Sequence, residues 1–400
     1  MRNILLFALS PILLLAAGCG GGSSSPGSNN NPIPTSGQNV QSIAVNSGPL
    51  NNYANGVFTS VTVCVPGSSN CQTINDVLVD TGSSGLRLLS SALTLSLPQQ
   101  TASGGSSVVE CFQFLDGVTW GPVRAADIKL AGEQASSVPI QVIGDPGFPT
   151  VPSSCTSAGA PEDTLQKLLA NGILGISPFR QDCGPACAIS GSGNPGLYYI
   201  CPASGCTQTQ EGLAQQLQNP VWMFSQDNNG LVVALPSVPA TGAPSLSGSL
   251  IFGISTQSNN ALGSAKVFTL DANGNITTSF RGQSYTNSFI DTGSNGIFFL
   301  TSTITGIPTC PSPNSGFYCP SSTQNLSATQ IGANGTSANV SFSVANADTL
   351  FATPNFAFND LAGTNAGVFD WGLPFFFGHD VFMGIEGQSS PAGLGPFWAY

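Results

Sequence analysis

The sequence predicts an all-β chain built as two similar lobes, and three observations carry that prediction. Composition is the first: the 400 residues include 48 glycines and 29 prolines, yet only 7% are charged. Short strands joined by turns need Gly and Pro, whereas long surface helices normally carry many Lys and Glu. The second is the tetrapeptide Asp-Thr-Gly-Ser, which occurs in VLVDTGSSGLRLL (77–89) and again in SFIDTGSNGIFFL (288–300). Aligned on Asp80 and Asp291, the two stretches share a later glycine (Gly85, Gly296) and a final leucine (Leu89, Leu300). Val79, Leu86 and Leu88 are matched by Ile290, Ile297 and Phe299. The third is an apolar-apolar-Gly element after each: Ile173-Leu174-Gly175 in NGILGIS (171–177), and Phe376-Phe377-Gly378 in LPFFFGHDVF (373–382). Glycine in a buried strand lets another backbone pass close by. Two motifs repeated in one order point to lobes of similar build, expected at 40–220 and 221–400, and the length suits two medium cores.

At the N-terminus, Arg2, the apolar run 4–15 and the small residues Ala16, Ala17 and Gly18 form an export signal over 1–18. LAAGC (15–19) resembles the lipobox of bacterial lipoproteins, which implies that Cys19 is lipidated and becomes the mature N-terminus. Gly20 after it, where Asp would signal retention, resembles the outer-membrane pattern. The low-complexity residues of 19–39 make a flexible tether. The chain is thus expected in the cell envelope, held to a membrane by lipid and facing the periplasm or cell exterior. No later segment is long and apolar enough to span a bilayer.

Of eleven cysteines, ten remain once Cys19 is set aside, an even number suited to an oxidising compartment. Cys64 and Cys71 bracket a turn, as do Cys310 and Cys319. Cys183, Cys187, Cys201 and Cys206 either nest as Cys183–Cys206 and Cys187–Cys201 or pair locally, the nested form being the expectation, and Cys111–Cys155 is what is left. A net charge of −11 offers no basic stripe for nucleic acid. The single histidine argues against a metal centre, and no cofactor is expected. That residue, His379, stands beside Asp380, but no Gly-x-Ser-x-Gly elbow supplies a nucleophile, so His379 reads as structural.

The order apolar-apolar-Asp-Thr-Gly then apolar-apolar-Gly, given twice, closely resembles the pepsin-like aspartic proteases. The strand-turn-strand pattern of 56–85 leads into the first aspartate as it does in that family. EGLAQQLQNPVWMFSQDNNGLVVALP (211–236) resembles the helix and strands that join its lobes. The likeness covers most of 50–385. The chain also resembles a bacterial lipoprotein family of unknown function with the same DTGS pair. The pepsin resemblance implies a bilobal monomer with a peptide or protein substrate in the inter-lobe cleft. Asp80 and Asp291 would meet there and share a proton, because two adjacent carboxylates do not both ionise cheaply. One would activate a water, and the other would polarise the scissile carbonyl and protonate the leaving amine. Gly82 and Gly293 would present amides to the carboxylates. Thr81 and Thr292 would bond across the axis, and Ser83 and Ser294 would hold the outer oxygens.

The pattern departs from the family over the cleft. The tyrosine of the pepsin flap falls on Phe114, with Leu115, Asp116 and Gly117 at the tip, and Arg87 stands where pepsins place a tryptophan. Trp120 is a candidate substitute. The short stretch between Cys19 and Val40 also leaves no room for a pepsin-style pro-segment. The leading expectation is an aspartic endopeptidase. The alternative is a non-catalytic binding or inhibitor-like protein, its groove filled by an insertion such as 183–206. A third reading is a surface lipoprotein whose DTGS loops only pin the lobes together.

Overall fold

The computed structural model describes residues 33–400. The export signal, Cys19 and the tether up to residue 32 lie outside the described residues. The end of the expected tether is packed in place. Ser249 Oγ donates to the Pro34 carbonyl at 2.5 Å, and the Asn39 amide donates to the Phe252 carbonyl at 2.9 Å.

Strands dominate, and among the described residues no helix exceeds five residues. Alternating stretches such as Gly56–Cys64 (GVFTSVTVC) place Val57, Val61 and Val63 in the core. The strands form a fifteen-stranded and a seven-stranded sheet, with a small hairpin besides. The first strand, Val40–Asn46, pairs antiparallel with Leu246–Phe252, which ties the chain's beginning to its second half. Residues 211–218, expected to be helical, form turns and lead only to a single 3-10 turn, Val221–Met223. Glutamine side chains satisfy carbonyls that a helix would have satisfied, Gln216 donating to Glu211 and Gln218 to Leu213, and Gln216 also reaches the Gly184 carbonyl.

Each lobe contains the same three-strand device. In the first, Gly172–Ile176 lies between Cys71–Asp80, to which it is parallel, and Ser84–Leu89, to which it is antiparallel. In the second, Asn365–Trp371 lies parallel to Gln283–Ile290 and antiparallel to Ile297–Leu300. The register corrects one expectation. Asp80 stands opposite Gly175, and the residue opposite Asp291 is Gly372, because Ile290 pairs with Trp371. A Cβ on Gly372 would lie 2.1 Å from the Gly296 carbonyl oxygen and 2.5 Å from that of Ser294. Gly175 meets the Gly85 carbonyl in the same way, at 2.7 Å. Gly378 instead occupies a turn with φ +80°, its N–H donating to the Leu235 carbonyl at 2.9 Å. The second lobe's element is therefore Asp370-Trp371-Gly372, with a carboxylic acid where the first lobe has Ile173.

Five cystines brace the loops. Cys64–Cys71, Cys111–Cys155 and Cys310–Cys319 form as expected. The nested pairs Cys183–Cys206 and Cys187–Cys201 do not form; Cys183 bonds Cys187, and Cys201 bonds Cys206. Local geometry decides this. The turn Gly184–Ala188 folds Cys187 back onto Cys183, and the hairpin of Tyr198–Cys201 with Thr207–Thr209 brings Cys201 beside Cys206.

Candidate active site

The two DTGS loops interlock at the centre of the molecule. A Cβ on Gly82 would strike the Asp291 carboxyl carbon at 2.7 Å, and one on Gly293 would strike Asp80 Oδ1 at 2.7 Å. Only glycine permits each loop to approach the other's carboxylate so closely. The Thr81 N–H donates to Thr292 Oγ1 at 3.1 Å, and the Thr292 N–H donates to Thr81 Oγ1 at 2.9 Å. Thr292 Oγ1 in turn donates to the Val79 carbonyl at 2.7 Å. These reciprocal bonds fix the register of the loops.

Each aspartate accepts a backbone N–H two residues on, Gly82 to Asp80 and Gly293 to Asp291, both at 2.7 Å. Beyond that the symmetry fails. Ser83 Oγ gives its hydrogen to Asp80 Oδ2 at 2.5 Å. Ser294 Oγ lies 3.1 Å from Asp291 Oδ2 but 2.6 Å from Asp370 Oδ2, and a hydroxyl has one hydrogen to give. Burial first, then the charges of Asp80 and Asp370, holds the Asp291 carboxyl well above the ordinary carboxylate range. Burial likewise pushes Asp370 up to about 8. When Asp370 is protonated it donates to Ser294, which frees the serine hydrogen for Asp291. When it is ionised it takes that hydrogen for itself.

The strands Ser107–Gln113 and Val118–Leu130 form the flap, and the Phe114 N–H bonds the Gly117 carbonyl across its tip at 2.8 Å. Leu115 is 80% exposed there. Arg87 is fully buried beneath. Its guanidinium lies 3.7 Å from the Phe112 ring centre and 5.8 Å from that of Phe114. It donates to Glu110 at 2.7 Å, to Asp182 at 3.4 Å and to the Ser84 carbonyl at 2.8 Å. Two carboxylates around one cation leave a surplus of negative charge. Burial and then Glu110 raise Asp182 well above its ordinary range, and the Tyr198 hydroxyl donates to it at 2.9 Å. A stacked cation held by acids thus fills the place where the resemblance implied a tryptophan. Trp120 is no substitute: its indole donates to the Phe148 carbonyl at 3.0 Å, away from the cleft.

A family model described as "Protein of unknown function (DUF3443)" matches residues 35–400. The chain belongs to the DUF3443 family. Among solved structures, this DUF3443 chain is similar to the aspartic proteinase from Irpex lacteus, with a TM-score of 0.51 and 16% identity over 90% of this chain and 96% of that one. Likeness at that identity is one of fold, and the fold is all-β, bilobal and pepsin-like. No curated protein sequence matches the chain.

In this DUF3443 chain the structure brings together Asp80, Thr81, Gly82, Ser83, Asp291, Thr292, Gly293 and Ser294 from the two loops. Phe114 and Asp116 of the flap line the cleft above them, and Gly117 backs onto Glu162. Gly378 lies elsewhere, and His379 stacks on Phe375 with ring centres 6.1 Å apart. Sequence reasoning missed Asp370, Gly372 and Tyr53. Tyr53, in the turn between the first two strands, lines both halves of the cleft. Burial, then Asp116, Asp291 and Asp80, raises its hydroxyl above the ordinary tyrosine value. The sequence signal for Tyr53 is slight, one aromatic in NNYANG; that for Asp370 was an acid inside the apolar frame VFDWG.

Proposed function

We propose that this protein is an aspartic endopeptidase, hydrolysing peptide bonds through a water activated by Asp80 and Asp291. The observation that carries the reading is the interlocked loop pair, with each carboxylate fed by a glycine N–H and flanked by a serine hydroxyl at the floor of an open cleft. In this mechanism Asp291 carries the shared proton, since burial and two neighbouring acids favour its neutral form. The charge then rests on Asp80, where the Gly82 N–H and the Ser83 hydroxyl stabilise it. Asp80 takes a proton from water, the water oxygen attacks the carbonyl carbon, and Asp291 gives its proton to the carbonyl oxygen. The amine leaves with a proton returned by the pair. The flap closes over the peptide with Leu115 at its tip.

No residue of 183–206 lines either cavity of the cleft, which favours hydrolysis over a groove plugged by an insertion. The absence of a flap hydroxyl at Phe114 favours the second reading, a binding protein that keeps the fold. The site of action we propose is the cell envelope, anchored through Cys19, and five cystines support an oxidising compartment. Cleavage of a mixed peptide library between about pH 3 and 7.5 decides between peptidase and binder. Activity abolished by Asp80→Asn and by Asp291→Asn establishes the peptidase. A folded, oxidised chain that cuts nothing at any pH in that range is the binder.

A further inference from the structure

We propose that the cleft cavity on the Asp291 side binds a cationic side chain of the peptide, a lysine or arginine, and that Asp370 selects it. The inference rests on the peptidase reading and adds the chemistry of the substrate.

Two cavities share the cleft, and their walls differ. The smaller, about 400 Å³, lies over both Asp80 and Asp291 and extends onto Leu78, Phe112, Phe114 and Ile173 of the first lobe. Beyond the second loop's Gly293 and Ser294, about 540 Å³ is walled by Asp370 and Phe298, which the smaller cavity lacks, and by Tyr53, Asp116 and Glu162, which the two share. The lysine on that wall, Lys167, has its ammonium on Asp163 at 2.9 Å. Tyr53, Leu115, Asp116, Glu162, Leu168 and Gly293 line both cavities, so one peptide runs through them with its scissile bond over the aspartates.

Asp370 is 1% exposed, and only one of its oxygens is spoken for: Oδ2 bonds Ser294, while Oδ1 has no partner. A buried acceptor without a donor is costly, and the ligand group that relieves it is an N–H donor, best a charged one. Phe298, cross-strand neighbour of Asp370, adds a ring face to the same wall, and such faces attract ammonium and guanidinium groups. Glu162 is packed under the flap tip, where a Cβ on Gly117 would meet it at 2.7 Å, so flap and carboxyl close on the guest together. An apolar guest would leave Asp370 Oδ1 without a donor and would cover Asp116 and Glu162 without pairing them. The opposite cavity, with Ile173 at the position of Asp370, takes an apolar side chain.

The test uses the Asp80→Asn chain, which retains the cleft, and fluorescent peptides in matched pairs. One pair carries a central Phe-Lys or Phe-norleucine; the other carries Lys-Phe or norleucine-Phe. Norleucine keeps the alkyl chain and removes the charge. Anisotropy titration is expected to show the lysine member binding about tenfold or more tightly in one of the two orders. Asp370→Asn, which still bonds Ser294 but does not ionise, brings the ratio to within about threefold, and Glu162→Gln lowers it by a smaller factor. Equal binding of lysine and norleucine in both orders, a preference that survives both substitutions, or no binding of any peptide overturns the assignment. The wild-type chain separates this from the peptidase reading. Cleavage without lysine preference leaves the peptidase and removes the cationic pocket. Lysine-selective binding without cleavage leaves the pocket and removes the peptidase.

Discussion

The two lobes share a backbone plan but exchange their chemistry at one pair of positions. In the first, Arg87 stands opposite Ile173 across antiparallel strands; in the second, Phe298 stands opposite Asp370. Charge and apolar group have traded strands. The first-lobe charge is a cation turned beneath the flap and held by Glu110 and Asp182. The second-lobe group is a carboxylic acid bonded to Ser294 beside Asp291. A duplicated fold thus fixes where the two aspartates meet, while the flanking pair sets how differently they are held.

The largest expected effect tests whether the loops act as one unit. Asp80→Asn and Asp291→Asn should each lower peptide cleavage by about 10²–10⁴-fold. A variant of either that keeps near wild-type rates in a peptidase assay would break the equivalence. Next comes Arg87→Phe, which copies the second lobe into the first. It leaves Glu110 and Asp182 buried without their cation and should destabilise the fold by about 3–5 kcal/mol in urea titrations. Gly372→Ala drives a Cβ into two carbonyls and should cost about 1–3 kcal/mol or more. Gly378→Ala, strained by its positive φ and by a Cβ 2.7 Å from the Ser237 hydroxyl, a side chain that can turn aside, should cost about 1–2 kcal/mol. The reverse order would restore Gly378 as the counterpart of Gly175.

The smallest effect, per unit of pH, lies in Asp370. Folded, it keeps its proton up to about pH 8; unfolded, it loses it in the ordinary carboxylate range. The folded state therefore binds more protons over that window, and stability falls as pH rises through it, by up to about 1.4 kcal/mol per unit. Asp370→Asn should remove that slope and raise the melting temperature toward pH 8 relative to wild type. Parallel curves for the two chains from pH 4 to 8 would show that Asp370 does not titrate as the geometry requires.

Much of this was legible in the sequence, for a physical reason. Tight loops around a carboxylate need glycine and small hydroxyls at set spacings, so DTGS is conspicuous, and Ile173-Leu174-Gly175 is conspicuous because both flanking residues are apolar. Gly372 was hidden because Asp370 broke the apolar run while Phe376-Phe377-Gly378 imitated it. What marks Gly372 is the approach of Gly296 and Ser294, a distance in space that no local pattern encodes. Tyr53 was hidden because one ring in a turn has no period. The cystines between 183 and 206 were underdetermined, since the turn at 184–188 and the hairpin at 198–209 together decide that local pairs form.

The pairing of Val40–Asn46 with Leu246–Phe252 also governs how the molecule comes into being. The bond from Asn39 to Phe252 spans 213 residues, so the outer edge of the opening strand stays bare while all the intervening chain is made. At roughly 5–20 residues per second the wait lasts on the order of 10–40 s. During it an exposed row of backbone donors and acceptors is free to pair with any other extended chain. A fragment ending near residue 220 never closes that edge, and such a fragment expressed alone should be recovered as aggregate. What looks in space like two halves is, in time, a single act of folding that waits for its second half.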